Sequence, residues 1–216
     1  MAVLDRNVPK YYRGGRFSTR EGMLIEVPVS GFDWGGFIPA VIDPYEEEQY
    51  QKFPLGTKLI YGERIFRYAK MGGTAGVAGN LYQAVVPLAG HIDEVMGTIA
   101  VAATVVAFTP AVDPTDALTL DELQAGYFHP NAESGEGLAY KIRGNPVIAG
   151  AVSGNLTLID PVKIAIVAAA TGTVTHNPYR SIIIHDSPPT ALVVGVAMQL
   201  TTAAYFCWIQ TRGPCA

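Results

Sequence analysis

Apolar and polar residues alternate along this chain over short stretches, and glycine or proline interrupts the pattern every several residues. The 3.6-residue period of amphipathic helices is nearly absent, while the chain contains 23 Gly and 15 Pro. Short alternating runs between turn residues predict β-strands. The expected strands cover residues 83–87, 98–108, 126–129, 138–143, 156–160, 163–168, 181–185, 191–199 and 204–211. The runs at 98–108 and 163–168 are almost continuously apolar, which predicts burial on both faces.

The clearest local unit is TKLIYGERIFRYAK, residues 57–70. Two β-rich runs flank Gly62-Glu63, and Gly at the first central position suits a type II′ turn. The sequence therefore predicts a two-residue hairpin. In its second strand Phe66 and Tyr68 share one face.

The last strand holds the densest aromatic run, AYFCWIQT, at residues 204–211. Alternation places Tyr205, Cys207 and Ile209 on one face, and Phe206, Trp208 and Gln210 on the other. One face is expected to close the body and the other to lie under a neighbouring subunit. Gly213-Pro214 should end the strand because proline donates no ladder hydrogen bond.

Helices are expected only at residues 44–52 and 116–124, where acidic residues favour a first turn. The predicted fold class is mainly β, a β-sandwich or β-barrel body with an extended N-terminal arm. We expect three regions: the arm at 1–54, a hairpin-containing middle region at 55–110, and a C-terminal β-sandwich or barrel at 111–216.

Charge is distributed unevenly. The first 20 residues carry a local net charge of +4, whereas residues 72–111 contain only Asp93 and Glu94 as charged groups. Residues 146–216 are similarly poor in charge. Such stretches suggest an exterior that faces another protein chain, although a surface of Ser, Thr, Asn and Gly is an equal alternative.

Composition argues against several classes. A net charge of −4 and a pI near 5.5 do not fit a nucleic-acid-binding protein. The longest apolar run, residues 97–108, is about half of the roughly 20 residues that a transmembrane helix needs, so no membrane association is expected. The charged N-terminus is unlike a secretory signal, which predicts synthesis in the cytoplasm without export by that route.

Catalytic and metal-binding patterns are incomplete. The glycine-rich residues 72–79 lack the Lys-Ser/Thr pair of a phosphate loop and read as a turn-rich connector. His91, Asp93 and Glu94 could supply only part of a metal shell. His185-Asp186 has no accompanying nucleophile motif. We therefore predict no enzyme activity, no catalytic residues, no cofactor and no metal.

The two cysteines are expected to be reduced thiols, with a disulfide between Cys207 and Cys215 as the alternative. Cys207 lies between two aromatic residues in a predicted strand, which favours a small buried apolar role.

Several segments, taken in order, resemble a family of virion structural proteins of tailed bacteriophages. They are residues 53–73 (FPLGTKLIYGERIFRYAKMGG), 126–145, 156–161 (LTLIDP), 177–185 (NPYRSIIIH) and 193–215. Their order and spacing carry the resemblance, because none is specific alone. The chain departs from the family pattern in the Cys-Trp of FCWIQ and in the apolar residues 95–110.

The resemblance implies a capsid decoration, or cement, protein that is encoded near the major capsid protein and bridges capsomers on the outer surface of the head. The implied partners are the major capsid protein and further copies of this chain, with a trimer favoured over a dimer. On this hypothesis a basic arm contacts acidic capsid surface. Trp208, in the last strand, is assigned to an interface, with a place in the core as the alternative. The arm residues are Arg6, Lys10, Arg13, Arg16 and Arg20.

Two alternative functions fit the same sequence. A tail, neck or spike protein would fit the same β-rich composition at a lower copy number. A carbohydrate-binding β module would use surface aromatics such as Tyr11, Tyr12 and Trp34.

Overall fold

The computed structural model describes residues 14–19, 21–35, 42–111 and 113–215. These residues form two compact units: one contains the described residues up to Val86 and from Pro178 onward, and the other is Pro87–Asn177. Both are mainly β, which confirms the predicted class. The strands are β1 (Gly15–Ser18), β2 (Leu24–Val27), β3 (Lys58–Tyr61), β4 (Arg64–Lys70), β5 (Leu81–Gln83), β6 (Glu94–Val95), β7 (Val105–Phe108), β8 (Tyr127–Pro130), β9 (Tyr140–Gly144), β10 (Gly154–Leu158), β11 (Thr171–Thr175), β12 (Ile183–Ile184), β13 (Val193–Ala197) and β14 (Phe206–Arg212).

The first unit contains an eight-stranded antiparallel sheet in the order β1-β2-β3-β4-β14-β13-β5-β12. The predicted hairpin is confirmed, since β3 and β4 pair from Lys58↔Arg67 to Tyr61↔Arg64. Gly62 has a φ of 58°, whereas Glu63 is not among the residues with positive φ. This combination fits the type II′ turn, which needs a left-handed residue only at its first central position.

Strand β14 lies inside this sheet and is buried from Phe206 to Gln210. Its two faces contact different hydrophobic clusters. Phe206 and Trp208 pack with Phe66 and Tyr68 in one cluster, whereas Cys207 and Ile209 belong to the other. The alternation predicted from AYFCWIQT is thus confirmed, and the strand ends before Gly213 as expected.

The second unit contains a six-stranded sheet in the order β6-β11-β8-β9-β10-β7. Its strands are buried on one face and contribute to a single hydrophobic cluster. That cluster includes Phe108, Leu123, Phe128, Tyr140, Ile142, Leu156 and Leu158. Because the other face carries half-exposed or exposed residues, this sheet has the alternation typical of one-sided burial.

The two apolar runs expected to be buried on both faces differ from that prediction. Only Val105–Phe108 of residues 98–108 forms a strand, and Val105 and Ala107 are exposed there. Ala102 has a left-handed φ of 66° and donates its N–H to Val162 O, so an extended strand cannot pass through it. Residues 163–168 form a loop that contains a single bridge, from Ile166 to Ile99.

Neither predicted helix forms. In residues 44–52, Glu48 exchanges backbone hydrogen bonds with Phe206, which forms an isolated antiparallel bridge in place of helical hydrogen bonds. In residues 116–124, the Glu122 side chain caps the N–H of Thr119, but Asp121 has a left-handed φ of 54°. A left-handed residue ends the helical turn at that point. The helical elements of the described chain are the 3-10 turns Ala89–His91 and Pro114–Asp116, and no described helix has the length and apolar character to cross a membrane.

The structure also divides the chain differently from the three regions expected. Residues 87–177 form one unit that spans the predicted division near 110, and the chain then returns to complete the first sheet. Part of the predicted arm also belongs to the body, because β1 pairs with β2 and β2 pairs with β3. A sequence pattern does not reveal such a return, since strand order within a sheet depends on long-range pairing.

Candidate interaction surface

One face of the first sheet carries four charged residues in adjacent strands. Arg16 in β1 is opposite Glu26 in β2, Glu26 is opposite Lys58 in β3, and Lys58 is opposite Arg67 in β4. We call these four residues the charged row. It contains three cations and one carboxylate, so it is a net basic strip.

Hydrogen bonds hold the row together through Glu26. Arg16 donates Nε–H to Glu26 Oε1 at 2.9 Å and forms a second, closer contact through Nη2. Lys58 Nζ donates to Glu26 Oε2 at 2.9 Å. The hydrogen bonds from Lys58 and then Arg16 lower the pKa of Glu26 to about 2. The carboxylate therefore stays ionised at any physiological pH and positions the two cations.

Arg67 is held by two residues outside the charged row, Gly56 and Tyr179. Its Nη1 donates to Gly56 O at 2.7 Å, and its guanidinium lies 5.9 Å from the ring centroid of Tyr179. A guanidinium fixed by a carbonyl and an aromatic ring loses little freedom when it meets an acidic partner. Arg67 is half-buried, so it keeps access to solvent.

Beside the charged row runs a half-exposed apolar row on the same face. Leu24, Ile60 and Ile65 are opposite one another in β2, β3 and β4, and all three are half-buried. The opposite face of these strands is covered by a core that includes Ile25, Leu59 and Phe66. The face with the two rows therefore combines partly accessible aliphatic surface with a net positive charge.

The predicted interface residues have different outcomes. Arg16 takes part in the charged row, whereas Arg6, Lys10, Arg13 and Arg20 lie outside the described residues. The structure contradicts the prediction that Trp208 is an interface residue. It is 2% exposed and packs against Phe53 and Tyr68, with ring centroids 5.7 and 5.1 Å away. The physical reason is the interior position of β14, which has a core on each face.

The aromatics considered for carbohydrate binding do not form a described platform. Tyr11 and Tyr12 lie outside the described residues. Trp34 is buried in the core of the first unit, and its ring packs edge-on against Phe17. A buried indole is not accessible for stacking on a sugar.

The segment with His91, Asp93 and Glu94 does not converge on a metal. His91 is buried and its Nε2 lies 2.8 Å from the backbone oxygen of Asp116, while Asp93 accepts a hydrogen bond from Asn131. Desolvation is the main cause of a raised pKa at Glu94. Within the described residues no group of three or more His, Cys, Asp or Glu side chains is placed to hold a metal ion.

In the His185-Asp186 pair, the Asp186 carboxylate is hydrogen-bonded to two neighbouring side chains. The Asp186 carboxylate accepts hydrogen bonds from Gln83 Nε2 at 3.2 Å and from Thr190 Oγ1 at 2.9 Å. Gln83 is fully buried and also binds the Thr190 hydroxyl at 2.7 Å. Asp186 thus holds the loop that follows β12.

The glycine-rich residues 72–79 use their amides inside the first unit. Gly72, Gly76 and Gly79 donate their N–H groups to the carbonyl oxygens of Ile182, Thr201 and Ala197 at 2.7–2.9 Å. Amides committed to carbonyls cannot also cradle a phosphate. The connector prediction is consistent with these bonds.

The cysteines are free and differ in exposure. Cys207 is buried and desolvation raises its pKa to about 11, whereas Cys215 is exposed. A buried thiol with a raised pKa is a poor nucleophile. The apolar role predicted for Cys207 is therefore supported by its environment.

Three members of the charged row were missed from the sequence: Glu26, Lys58 and Arg67. The signal for two of them was present, because a two-residue turn at Gly62-Glu63 places Lys58 opposite Arg67 on one face. Glu26 could not be found this way, since its pairing with Lys58 joins residues that are distant in sequence.

With this geometry established, comparison with known proteins gave no matching family model, no matching curated protein and no matching solved structure.

Proposed function

We propose that this protein is a capsid decoration protein of a tailed bacteriophage, which binds the outer surface of the head and bridges neighbouring capsomers. The observation that carries the proposal is the charged row beside Leu24, Ile60 and Ile65 on a half-exposed sheet face. A net basic strip next to aliphatic surface suits an acidic protein partner, because charge steers the encounter and apolar burial holds the complex. The ordered resemblance of residues 53–215 to virion proteins supports the same function.

Cementing is a consequence of preferential binding. A protein that binds only the assembled, expanded shell stabilises that state by its binding free energy. Contacts repeated on a symmetric shell add as avidity, so each one can be weak. The proposed partner is the major capsid protein, and the proposed location is the capsid surface of the virion.

Self-association is the second part of the proposal, with a trimer favoured over a dimer. The second unit exposes many aliphatic side chains, and its strand β7 lies at the edge of the sheet. An accessible apolar edge strand favours pairing with another chain. Its exposed aliphatic residues include Val95, Val101, Val105, Leu120, Val147, Val152, Ile164 and Val167.

The first test is the copy number of this chain in purified particles, relative to the most abundant shell protein, by quantitative mass spectrometry. A shell-wide symmetric oligomer gives roughly one third to one copy per shell subunit. A ratio of a few per cent would contradict the decoration role and favour a tail, neck or spike protein instead. Absence from the particle would overturn both.

The second test separates the charged row from general charge. Arg16→Glu places a negative charge beside Glu26 and should lower occupancy on decoration-free shells, with a weaker dependence on salt. Lys163→Glu, an exposed charge reversal in the second unit, is the matched control and should keep its occupancy. Equal loss from both variants would show that net charge, and not this surface, governs attachment.

Testing whether the N-terminal residues contribute to shell attachment requires a deletion that leaves the sheet intact. Removing residues 1–20 would also remove β1, which pairs with β2. Removing residues 1–13 leaves β1 complete. If this shorter deletion binds shells as the full chain does, Arg6, Lys10 and Arg13 have no part in attachment.

A further inference from the structure

Strand β7 leaves one edge of the second unit's sheet unpaired. It pairs with β10 on one side, and no described strand lies on its other side. Leu158 donates its N–H to Thr104 O, so these two residues form a hydrogen-bonded pair. Hydrogen-bonded and non-hydrogen-bonded pairs alternate along an antiparallel ladder. Val106 therefore bonds to β10, while Val105 and Ala107 direct their N–H and C=O groups away from it.

The unpaired edge is accessible at those two residues. Val105 and Ala107 are both exposed, Val105 by 48%. Among the described residues, none forms a hydrogen bond with the N–H or C=O group of either one. Each residue therefore offers one donor and one acceptor to a further strand.

The described sheets end in four edge strands, β1, β12, β6 and β7, and three of them have features that discourage pairing. Natural edge strands avoid further pairing by charged side chains, short length or bulges. β1 carries the charged Arg16, and β6 and β12 have two residues each. A left-handed Asp93, with a φ of 58°, also stops β6 from extending toward the N-terminus. β7 has four residues, no charged side chain, no proline and no bulge against β10.

The unpaired groups of β7 are complementary to themselves. When two copies of β7 lie antiparallel about a two-fold axis at Val106, Val105 of each copy is opposite Ala107 of the other. Each of these pairs exchanges both of its N–H···O bonds, so every unpaired group of the strand gains a partner. An axis at Val105 or at Ala107 would pair only one of these two residues within the strand. Both side chains are on the outer face of the sheet, so the cross-strand pairs are aliphatic.

The charges next to β7 favour the same direction of pairing. Lys163 is exposed and lies near the start of β7, because the preceding Val162 donates its N–H to Ala103 O. Asp113 is exposed and follows the end of β7. An antiparallel contact brings the lysine end of one copy to the aspartate end of the other, whereas a parallel contact would bring like charges together.

We propose that β7 is the contact surface for a second copy of this chain, which pairs with it antiparallel about a two-fold axis at Val106. The two six-stranded sheets then form one continuous antiparallel sheet. The inference rests on the self-association proposed above and names its contact. A two-fold contact closes a dimer, whereas a trimer needs two different surfaces on each copy.

Two substitutions at one position test the contact. Ala107→Pro removes the outward N–H but no bond to β10, and proline is tolerated where the missing N–H faces away from the sheet. Ala107→Lys adds a charge of the kind that protects natural edge strands. Val147→Lys is the control, since this side chain is 72% exposed in the same unit and lies outside the strands. Sedimentation velocity over a concentration series measures the association of the full chain and its variants.

We expect the unaltered chain to sediment as a dimer. Both Ala107 variants should raise its dissociation constant at least about tenfold, because hydrogen bonds are lost on both sides of the axis, while Val147→Lys should not. A monomer at about 100 μM, where a micromolar contact is saturated, would overturn both this contact and the proposed self-association. A dimer or trimer that the Ala107 variants do not weaken would overturn this contact alone. If circular dichroism shows that Ala107→Pro does not fold, Ala107→Lys decides.

Disulfide cross-linking tests the register. Val105→Cys and Ala107→Cys are each made together with Cys215→Ser, which removes the exposed thiol. When the two variants are mixed and mildly oxidised, they should cross-link to each other, because opposite Cα atoms in a hydrogen-bonded pair are about 5.5 Å apart. Each variant alone should cross-link poorly, since its two cysteines lie on a diagonal of about 7–8 Å. Cross-linking of one variant alone that is as fast as in the mixture would overturn the proposed contact.

Discussion

Strands β14 and β7 both come from apolar runs with few charged residues, yet their surroundings are opposite. β14 lies between β4 and β13 and is buried on both faces. β7 lies at the edge of its sheet, is paired with β10, and alternates exposed and buried residues. The difference shows that what packs on each face of the sheet, and not the hydrophobicity of a run, decides how many faces of a strand are covered.

Side-chain size follows the same difference. β14 inserts Phe206 and Trp208 into one cluster and the smaller Cys207 and Ile209 into the other. β7 inserts Val106 and Phe108 into one cluster and leaves Val105 and Ala107 exposed. Substitutions in β14 should therefore affect stability on either face, whereas those in β7 should do so on one.

The largest effect is expected from Trp208→Ala. The substitution leaves a cavity against Phe53 and Tyr68, and loss of a buried Trp side chain costs about 3–5 kcal/mol. Urea unfolding followed by circular dichroism measures the change, with Trp208→Phe as a smaller truncation. A loss below about 1 kcal/mol would place Trp208 outside the core and end the contrast with β7.

The opposite face of β14 is tested by Cys207→Ser. A hydroxyl in place of the buried thiol should lower the free energy of unfolding by about 1–3 kcal/mol, because a polar group is taken out of water. Cys207→Ala is the control without a polar atom. In the unaltered chain, a thiol reagent should label Cys215 in the folded state and Cys207 only after unfolding, since burial raises the pKa of Cys207 to about 11.

The one-sided burial of β7 is tested by a matched pair of neighbours. Val106→Thr places a hydroxyl in the core and should cost about 1–3 kcal/mol. Val105→Thr changes an exposed position and should alter the free energy of unfolding by less than about 0.5 kcal/mol. Equal losses in urea unfolding would show that β7 is covered on both faces. Sedimentation of the Val105→Thr variant also reports whether this surface contributes to self-association.

The sequence pattern correctly predicted those features of the fold that depend on residues close together in the chain. The hairpin at Gly62-Glu63, the alternating faces of residues 205–210 and the end of β14 at Gly213 all follow from nearest neighbours in the chain. The predicted helices failed because a left-handed Asp121 and the pairing of Glu48 with Phe206 outweighed weak helix signals. A bridge to a residue distant in sequence cannot be read from local propensity.

The candidate site shows the same limit. Arg16 was predicted from its basic surroundings, and Lys58 with Arg67 could have been paired through the hairpin turn. Glu26 organises the row, but it does so through long-range register with β1 and β3. The assignment of Trp208 to an interface was wrong. The composition of an aromatic-rich strand does not reveal that hydrophobic clusters of the same chain cover both of its faces.

The smallest effect is expected at Glu26, at the partly exposed end of the sheet that contains β14. Hydrogen bonds from Lys58 and Arg16 lower its pKa from 4.5 to about 2. A lowered folded-state pKa means that the stabilisation is complete above about pH 4.5 and is lost as the pH falls toward 2. Glu26→Gln should remove this part of the acid dependence.

The size of the effect is limited by solvent. The Arg16 side chain is 66% exposed, and exposed ion pairs contribute about 0–1 kcal/mol. Urea unfolding at pH 7 and at pH 3 measures the difference for the unaltered chain, Glu26→Gln, and Glu21→Gln as an exposed carboxylate that forms no ion pair with other described residues. If Glu26→Gln keeps the full acid dependence while Glu21→Gln removes it, the charged row does not stabilise the sheet, and its cations are held by the strands alone.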